Sequence, residues 1–451
     1  MVADSNPAST VRGARVCMLL GNPFTHDFRP LKQGRSLVAA GADVRVVATA
    51  APGLPERDSV DGVRVVRASH DPLPARLIRG LVARRRGAGA DEPVVLAPRA
   101  APAGGLAARV HAAELAARRG LTAITYLHWY RHAIRAALHE PVDVVVAHDF
   151  ETLPPAWAIA RRTGAGLLYD AHELVTDQPQ IVPRTRLGVR RVLAVERRLA
   201  RRAAAVTTVG DGLADELARR HGIRRPVVVR NAPYARVSVP PRDRGWLVEL
   251  GVPEDARVAI YTGGLVPERG IEDLVAAAAR VDGLHVVLMG PGQPGDLAEL
   301  SAAAQRAGLD GRFHLAPAVR SDDVPAHAAA ADVGVIPFRP LYLNHWLSLP
   351  NKLFEYLAAG LPIVTVAFPE LERIVTAYGA GRTCPPEDPA ALAAAIRAVL
   401  DDPAELERLR AGAARAAAEL TWEREEPAYL AAVAAALARS AGWRRRTAAI
   451  S

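Results

Sequence analysis

Short apolar runs alternate with stretches of helical period from end to end of the chain, the pattern of parallel sheet covered by helices on both faces. The apolar runs predict strands near residues 15–20, 43–48, 63–67, 143–147, 166–170, 205–209 and 226–229. Helices are expected between them, near 30–40, 107–139, 151–162, 186–203 and 211–220. The period lapses over 232–245, where three prolines mix with polar and charged residues as in a linker. It restarts with strands near 257–262, 284–289, 312–315, 333–336 and 362–366, and from Pro389 to about Ala438 the chain is helical and alanine-rich. Residues 87–106, rich in Gly, Ala and Pro, are expected to be a flexible loop inserted in the first unit. The economical architecture is α/β, with two doubly wound units facing across a cleft and helices at the C-terminus. The expected bounds are 1–235 for the first unit, 236–420 for the second, and 421–451 for a helix crossing back to the first, with its tail. Open parallel sheets bind ligands beyond the carboxyl ends of their strands, so chemistry is expected there.

Composition agrees: 451 residues, 50% hydrophobic and 23% charged, suit two or three cores. The longest run without Asp, Glu, Lys or Arg is residues 356–369, short of the ~20 residues that span a bilayer. No long apolar segment marks a secretory signal, and Cys17 and Cys384 alone make neither a disulfide framework nor a cysteine-based zinc site. A cytoplasmic setting is the expectation. Formal net charge is +9, concentrated in two places. Eight arginines stand against Glu196 between residues 184 and 202, and Arg76, Arg79, Arg84, Arg85 and Arg86 follow apolar residues at helical spacing. Such segments suit an anionic membrane surface, or simply a solvated arginine-rich face. Lys32 and Lys352 are the only lysines among 57 basic residues, which singles out both positions.

The first strand ends in GNPFTHDFRP, with one glycine. The GxGxxG turn of a dinucleotide site is absent, which disfavours a nicotinamide dehydrogenase. His26, Asp27 and Arg29 gather instead at a helix start, either to meet a ligand or as a cap and a surface ion pair. In YDAHEL, Asp170, His172 and Glu173 follow a strand end, where a histidine flanked by carboxylates can hold a hydroxyl or share a proton. In the second unit, Gly263 and Gly264 precede Glu268, Arg269 and Gly270 at a helix entrance, a weak phosphate signal. The strongest signal is SLPNKLFEYLAAGLPIVTV, residues 348–366. Pro350 starts a helix whose first turn offers the amides of Asn351 and Lys352 beside an ammonium, and Glu355 lies on the same face, able to accept two ribose hydroxyls. A surface Glu355–Lys352 pair is the plain alternative.

These segments, with LMGPG at 288–292 and TVGDGLADEL at 208–217, resemble the retaining glycosyltransferases of family 4, which have two Rossmann-like domains in the GT-B fold. The resemblance spans roughly residues 14–420. It implies a nucleoside-diphosphate sugar bound mainly by the second domain, a glycan or lipid-linked acceptor bound mainly by the first through His26, Asp27 and Arg29, and no metal ion or cofactor. By the same resemblance Glu355 is the ribose carboxylate, Arg269 stands where a phosphate-binding lysine is usual, and His172 holds the donor sugar near the reacting carbon. Gly290 and the backbone near Val319 wall the base pocket. Two departures are visible. Leu347 occupies the place of a family glutamate that contacts sugar hydroxyls, and Gly264 that of a family arginine. Lys352 is expected to supply the missing charge. Other classes considered are a sugar-nucleotide epimerase or hydrolase on the same fold, a non-catalytic nucleotide-sugar binder, and a nucleic-acid binder. The last is disfavoured by an aromatic content of 5% and the absence of a recognised motif.

Overall fold

A computed structural model of the chain describes residues 7–25, 28–69, 72, 105–177, 185–235 and 240–448. Strands β1 (Arg15–Leu19), β2 (Asp43–Thr49), β3 (Arg57–Val60), β4 (Val63–Ala68), β5 (Val144–His148), β6 (Gly166–Ala171), β7 (Ala205–Thr208) and β8 (Val227–Val228) form one sheet, ordered β3-β4-β2-β1-β5-β6-β7-β8. A second sheet holds β9 (Arg257–Thr262), β10 (Leu284–Met289), β11 (Phe313–Ala316), β12 (Val333–Ile336), β13 (Ile363–Val366) and β14 (Gly381–Cys384), ordered β11-β10-β9-β12-β13-β14. Every neighbouring pair is parallel except β3 with β4. Strands such as β5 and β10 are buried at every position, which is why their sequences run apolar without alternating.

The strands read from the sequence are present to within a residue or two, and two more appear. β3 (RDSV) is polar and exposed on the sheet edge, so it leaves no apolar run. It is held by a hairpin across Asp61 and Gly62, both left-handed at φ 51° and 80°, the turn that suits the strand twist. β14 (GRTC) has one fully buried residue, Cys384, and owes its existence to pairing with β13.

The chain divides into two compact units, residues 1–209, 214–229 and 426–451 in one, and 210–213 with 230–425 in the other. The segment 232–245, expected as a linker, therefore clusters with the second unit. The Trp422–Ala448 helix joins the first unit from Glu426 onward, and it passes so close to β6 that a Cβ on Gly166 would stand 1.9 Å from the Ala436 carbonyl oxygen. Among the described residues no helix is long and apolar enough to cross a membrane. The Arg76–Arg86 cluster, most of the 87–106 loop, and Arg184 lie outside the described residues.

Candidate functional site

In the second unit the expected donor residues gather where β9 ends. Gly263, at φ 108°, faces Lys352, and a Cβ there would lie 3.4 Å from Nζ. Gly290, at φ 153° after β10, comes so near that its Cβ would stand 2.1 Å from the Gly263 carbonyl oxygen. These two loops pack backbone on backbone, which a side chain would prevent. Gly290→Ala is therefore expected to push the loops apart and destabilise the second unit by ~1–3 kcal/mol, the usual cost of overpacking, as read by urea unfolding. Gly264 borders open space, its carbonyl accepting from the Tyr261 hydroxyl at 3.2 Å.

Both expected cations lean on one ring. The Arg269 guanidinium carbon is 4.9 Å from the Phe338 centroid, and Lys352 Nζ is 4.8 Å from the same centroid and 4.6 Å from that of Tyr261. Phe338 and Tyr261 are fully buried and Lys352 is 8% exposed, so the plain surface pairing with Glu355 does not hold. Burial first, and then the charge of Arg269, press Lys352 down to about 7, with Glu355 pulling the other way. Burial also raises Glu355 above the usual carboxylate value, against Lys352 and a 3.4 Å hydrogen bond from Thr262 Oγ1 to its Oε2. Two cations thus share an aromatic floor with too little negative charge nearby, the state of a pocket built for an anion.

The Asn351–Ala358 helix starts after Pro350 with no side-chain cap. The exposed Asn351 accepts from Asn231 at 2.8 Å. Tyr356 pins this helix to β9: its hydroxyl accepts from Thr262 N–H at 2.9 Å and donates to Ile260 O at 3.3 Å. Val319, three residues past β11, is half-buried against the core, and Gly290 N–H donates to Ala316 O at 3.3 Å.

In the first unit His172 sits at the centre of a charged network. Its Nδ1 is 3.0 Å from Asp149 Oδ2, its Nε2 is 2.9 Å from Asp170 Oδ2, and its backbone N–H donates to Asp149 Oδ1 at 2.8 Å. Burial opposes the charge, yet the Asp149 and Asp170 carboxylates raise His172 to about 10, while the Arg29 Nε–H stands 3.0 Å from its Nε2. Asp170 is fully buried. Burial works against its charge, but Arg29 and then His172 hold it well below the carboxylate range. Arg29 donates to both Asp170 oxygens, at 3.1 and 2.7 Å, while Gln33 and Thr207 add bonds of 2.8 and 2.7 Å.

The first-unit expectations need revision. His26 and Asp27 lie outside the described residues. Arg29, expected at the acceptor, is 3% exposed and turned inward to Asp170 and to the Val229 carbonyl, at 2.6 Å. It supports His172 instead. Glu173 is exposed. Asp149 went unread, although HDFE at the end of β5 repeats the pattern of ionisable residues at a strand end; it adopts φ 61°, a strained conformation that brings it to His172. Phe338 and Tyr261 were also missed, because a buried aromatic carries no sign in the sequence that it floors a charged pocket. His148, Asp170 and His172 bring ligand-type atoms within 4.8 Å of one another, but the Arg29 guanidinium already neutralises that group.

Residues 256–402 match the family model described as glycosyl transferases group 1, and residues 74–234 match the glycosyl transferase 4-like domain. The chain is 32% identical over 325 residues to a D-inositol 3-phosphate glycosyltransferase of Geodermatophilus obscurus, covering 66% of this chain and 68% of that protein. Sucrose-phosphate synthase from Thermosynechococcus elongatus superposes with a TM-score of 0.69 at 20% identity, over 97% of this chain and 100% of that one. HepE of Anabaena, solved with UDP-glucose, superposes with a TM-score of 0.64 at 16% identity, over 91% and 97%. With both halves matched by family models and the fold matched over nearly its whole length, the chain belongs to the glycosyltransferases of group 1 and has the two-domain GT-B fold.

Proposed function

We propose that the enzyme transfers a sugar, with retention of configuration and without a metal ion, from a nucleoside-diphosphate sugar to the hydroxyl of a glycan or lipid-linked acceptor, in building a glycan, glycolipid or polysaccharide. The observation that carries this is the Arg269 and Lys352 pair on the Phe338 ring, with Lys352 beside Gly263. Breaking a sugar–phosphate bond develops negative charge on the departing diphosphate, and preorganised cations stabilise that charge more than they stabilise the bound substrate. Glu355 would accept the ribose hydroxyls, and the solved complex of HepE with UDP-glucose supports a donor of this class. The transferred sugar would be oriented by the His172–Asp149 pair, whose exposed member is Asp149, at 36%; both ring nitrogens of His172 already face carboxylates, Nδ1 that of Asp149 and Nε2 that of buried Asp170. Thermal-shift screening of UDP-, GDP-, ADP- and dTDP-sugars identifies the donor, since a bound ligand raises apparent stability by mass action. Label moving from that donor to a second molecule is the expected result. Release of free sugar alone would mean a hydrolase. His172→Ala is expected to lower kcat about 100-fold or more with an unchanged nucleotide Kd, whereas a non-catalytic binder would be indifferent to it.

An anionic membrane face in the cytoplasm is part of the same proposal. The Arg186–Ala200 helix carries Arg186, Arg190, Arg191, Arg197 and Arg198 together with exposed Leu187 and Val195. It also borders a cavity of about 630 Å³ lined by Arg190, Arg197, Arg219 and Arg220. Flotation with anionic but not neutral liposomes is expected; equal flotation with both would remove this part of the proposal.

A further inference from the structure

A second surplus of positive charge lies at the other end of the same sheet. Asp332, just before β12, is buried; its Oδ2 accepts the Val258 N–H at 2.9 Å, tying the starts of β9 and β12 together. Three guanidiniums crowd this one carboxylate. Arg242 Nη2 donates to Oδ1, Arg410 Nη2 stands 3.7 Å from Oδ1, and Arg244 Nη1 stands 4.0 Å from Oδ2. Only the first is a hydrogen bond. Arg244 spends Nη2 on the Ala256 carbonyl at 2.7 Å, and its buried Nε has no acceptor among the described residues. Arg410 makes no hydrogen bond among the described residues; its other carboxylate, Glu407, is 4.0 Å away and 78% exposed. Glu254 and Asp255 are exposed, and their charges act on Arg244 from the solvent side. Burial and then the charge of Arg242 lower Arg410, while burial lowers Arg244 with Asp332 opposing and Arg242 adding.

From this geometry we infer that Arg242, Arg244 and Arg410 form a binding site for a phosphoryl dianion, separate from the pocket at Arg269 and Lys352. Planar guanidinium forks with free N–H groups match tetrahedral phosphate oxygens, and half-buried charges are screened less than surface ones. The site meets the start of β9 at Val258, whereas the Lys352 pocket lies past its end at Thr262, which puts roughly 15 Å of strand between them. One dianion therefore cannot serve both. Arg242 and Arg244 come from the segment 240–244 and Arg410 from the Pro403–Glu419 helix, so a bound phosphoryl group would fasten that segment to the domain body.

Inorganic phosphate and glucose 6-phosphate, titrated separately at low ionic strength into the full chain and into Arg410→Gln, Arg242→Gln and Lys352→Met, test this by calorimetry. Saturable binding is expected in the wild type and in Lys352→Met, weakened at least about tenfold in both arginine variants. Arg410→Lys, which keeps the charge without the fork, should fall between. Tighter binding of glucose 6-phosphate would mark a phosphorylated metabolite as the ligand, and equal binding free phosphate. No saturable binding to wild type, or binding that survives both glutamine changes but fails in Lys352→Met, would overturn the site. Since Arg410 has no hydrogen bond to lose, a circular-dichroism melt of Arg410→Gln without ligand should match wild type.

Discussion

Lys352→Met is expected to lower kcat/KM about 100- to 1000-fold, the usual effect of deleting one group that stabilises transition-state charge, while making the ligand-free protein more stable. The two effects share a cause. Without ligand the ammonium is buried beside Arg269 and held down to about 7, so its charged form opposes folding. Because the folded value lies below the unfolded one, the penalty is full below about pH 7 and fades as pH rises toward the ordinary lysine value. Wild-type stability should therefore climb between pH 7 and 10 relative to Lys352→Met, measured by urea unfolding at several pH values. A substitution that lowered both activity and stability would make Lys352 a structural residue.

Asp170→Asn is expected to destabilise the first unit by about 3–5 kcal/mol at neutral pH, the cost of removing one partner of a buried ion pair. Asp170 is fully buried and Arg29 3% exposed, so the guanidinium would keep its charge with no carboxylate facing it. His172 would lose one of its two carboxylates, and its titration should move down from about 10. Histidine proton resonances followed against pH read that shift, and chemical unfolding reads the stability. An unchanged His172 titration would mean that Asp149 alone sets its charge.

Much of the fold was legible because strands buried on both faces are written as short, mostly apolar runs without alternation, as in β5 (VVVAH) and β10 (LHVVLM). β3 and β14 are polar edge strands whose existence depends on pairing; the Asp61–Gly62 dipeptide was a local sign of the first that went unread. In the second unit the candidate site was equally legible, since Gly263, Lys352 and Glu355 belong to two local segments whose strand-end and helix-start positions bring them together. The first-unit network was not. Arg29 meets Asp170 from far along the chain, and an arginine at a helix start looks the same in sequence whether it faces solvent or the core. Asp149 reaches His172 because its own backbone is left-handed at φ 61°, a conformation aspartate tolerates but no local pattern announces.

Proton uptake on nucleotide binding tests the central claim most directly. UDP, GDP, ADP and dTDP are titrated into the protein at pH 7 in two buffers of different ionisation heat. With Lys352 held down to about 7, and so only partly protonated before binding but fully charged against a diphosphate, the nucleotide that binds should draw protons from the buffer, and affinity should fall as pH rises above 7. Lys352→Met should abolish the uptake. Binding whose heat is the same in both buffers and whose affinity is untouched by Lys352→Met would contradict a diphosphate pocket built on this lysine.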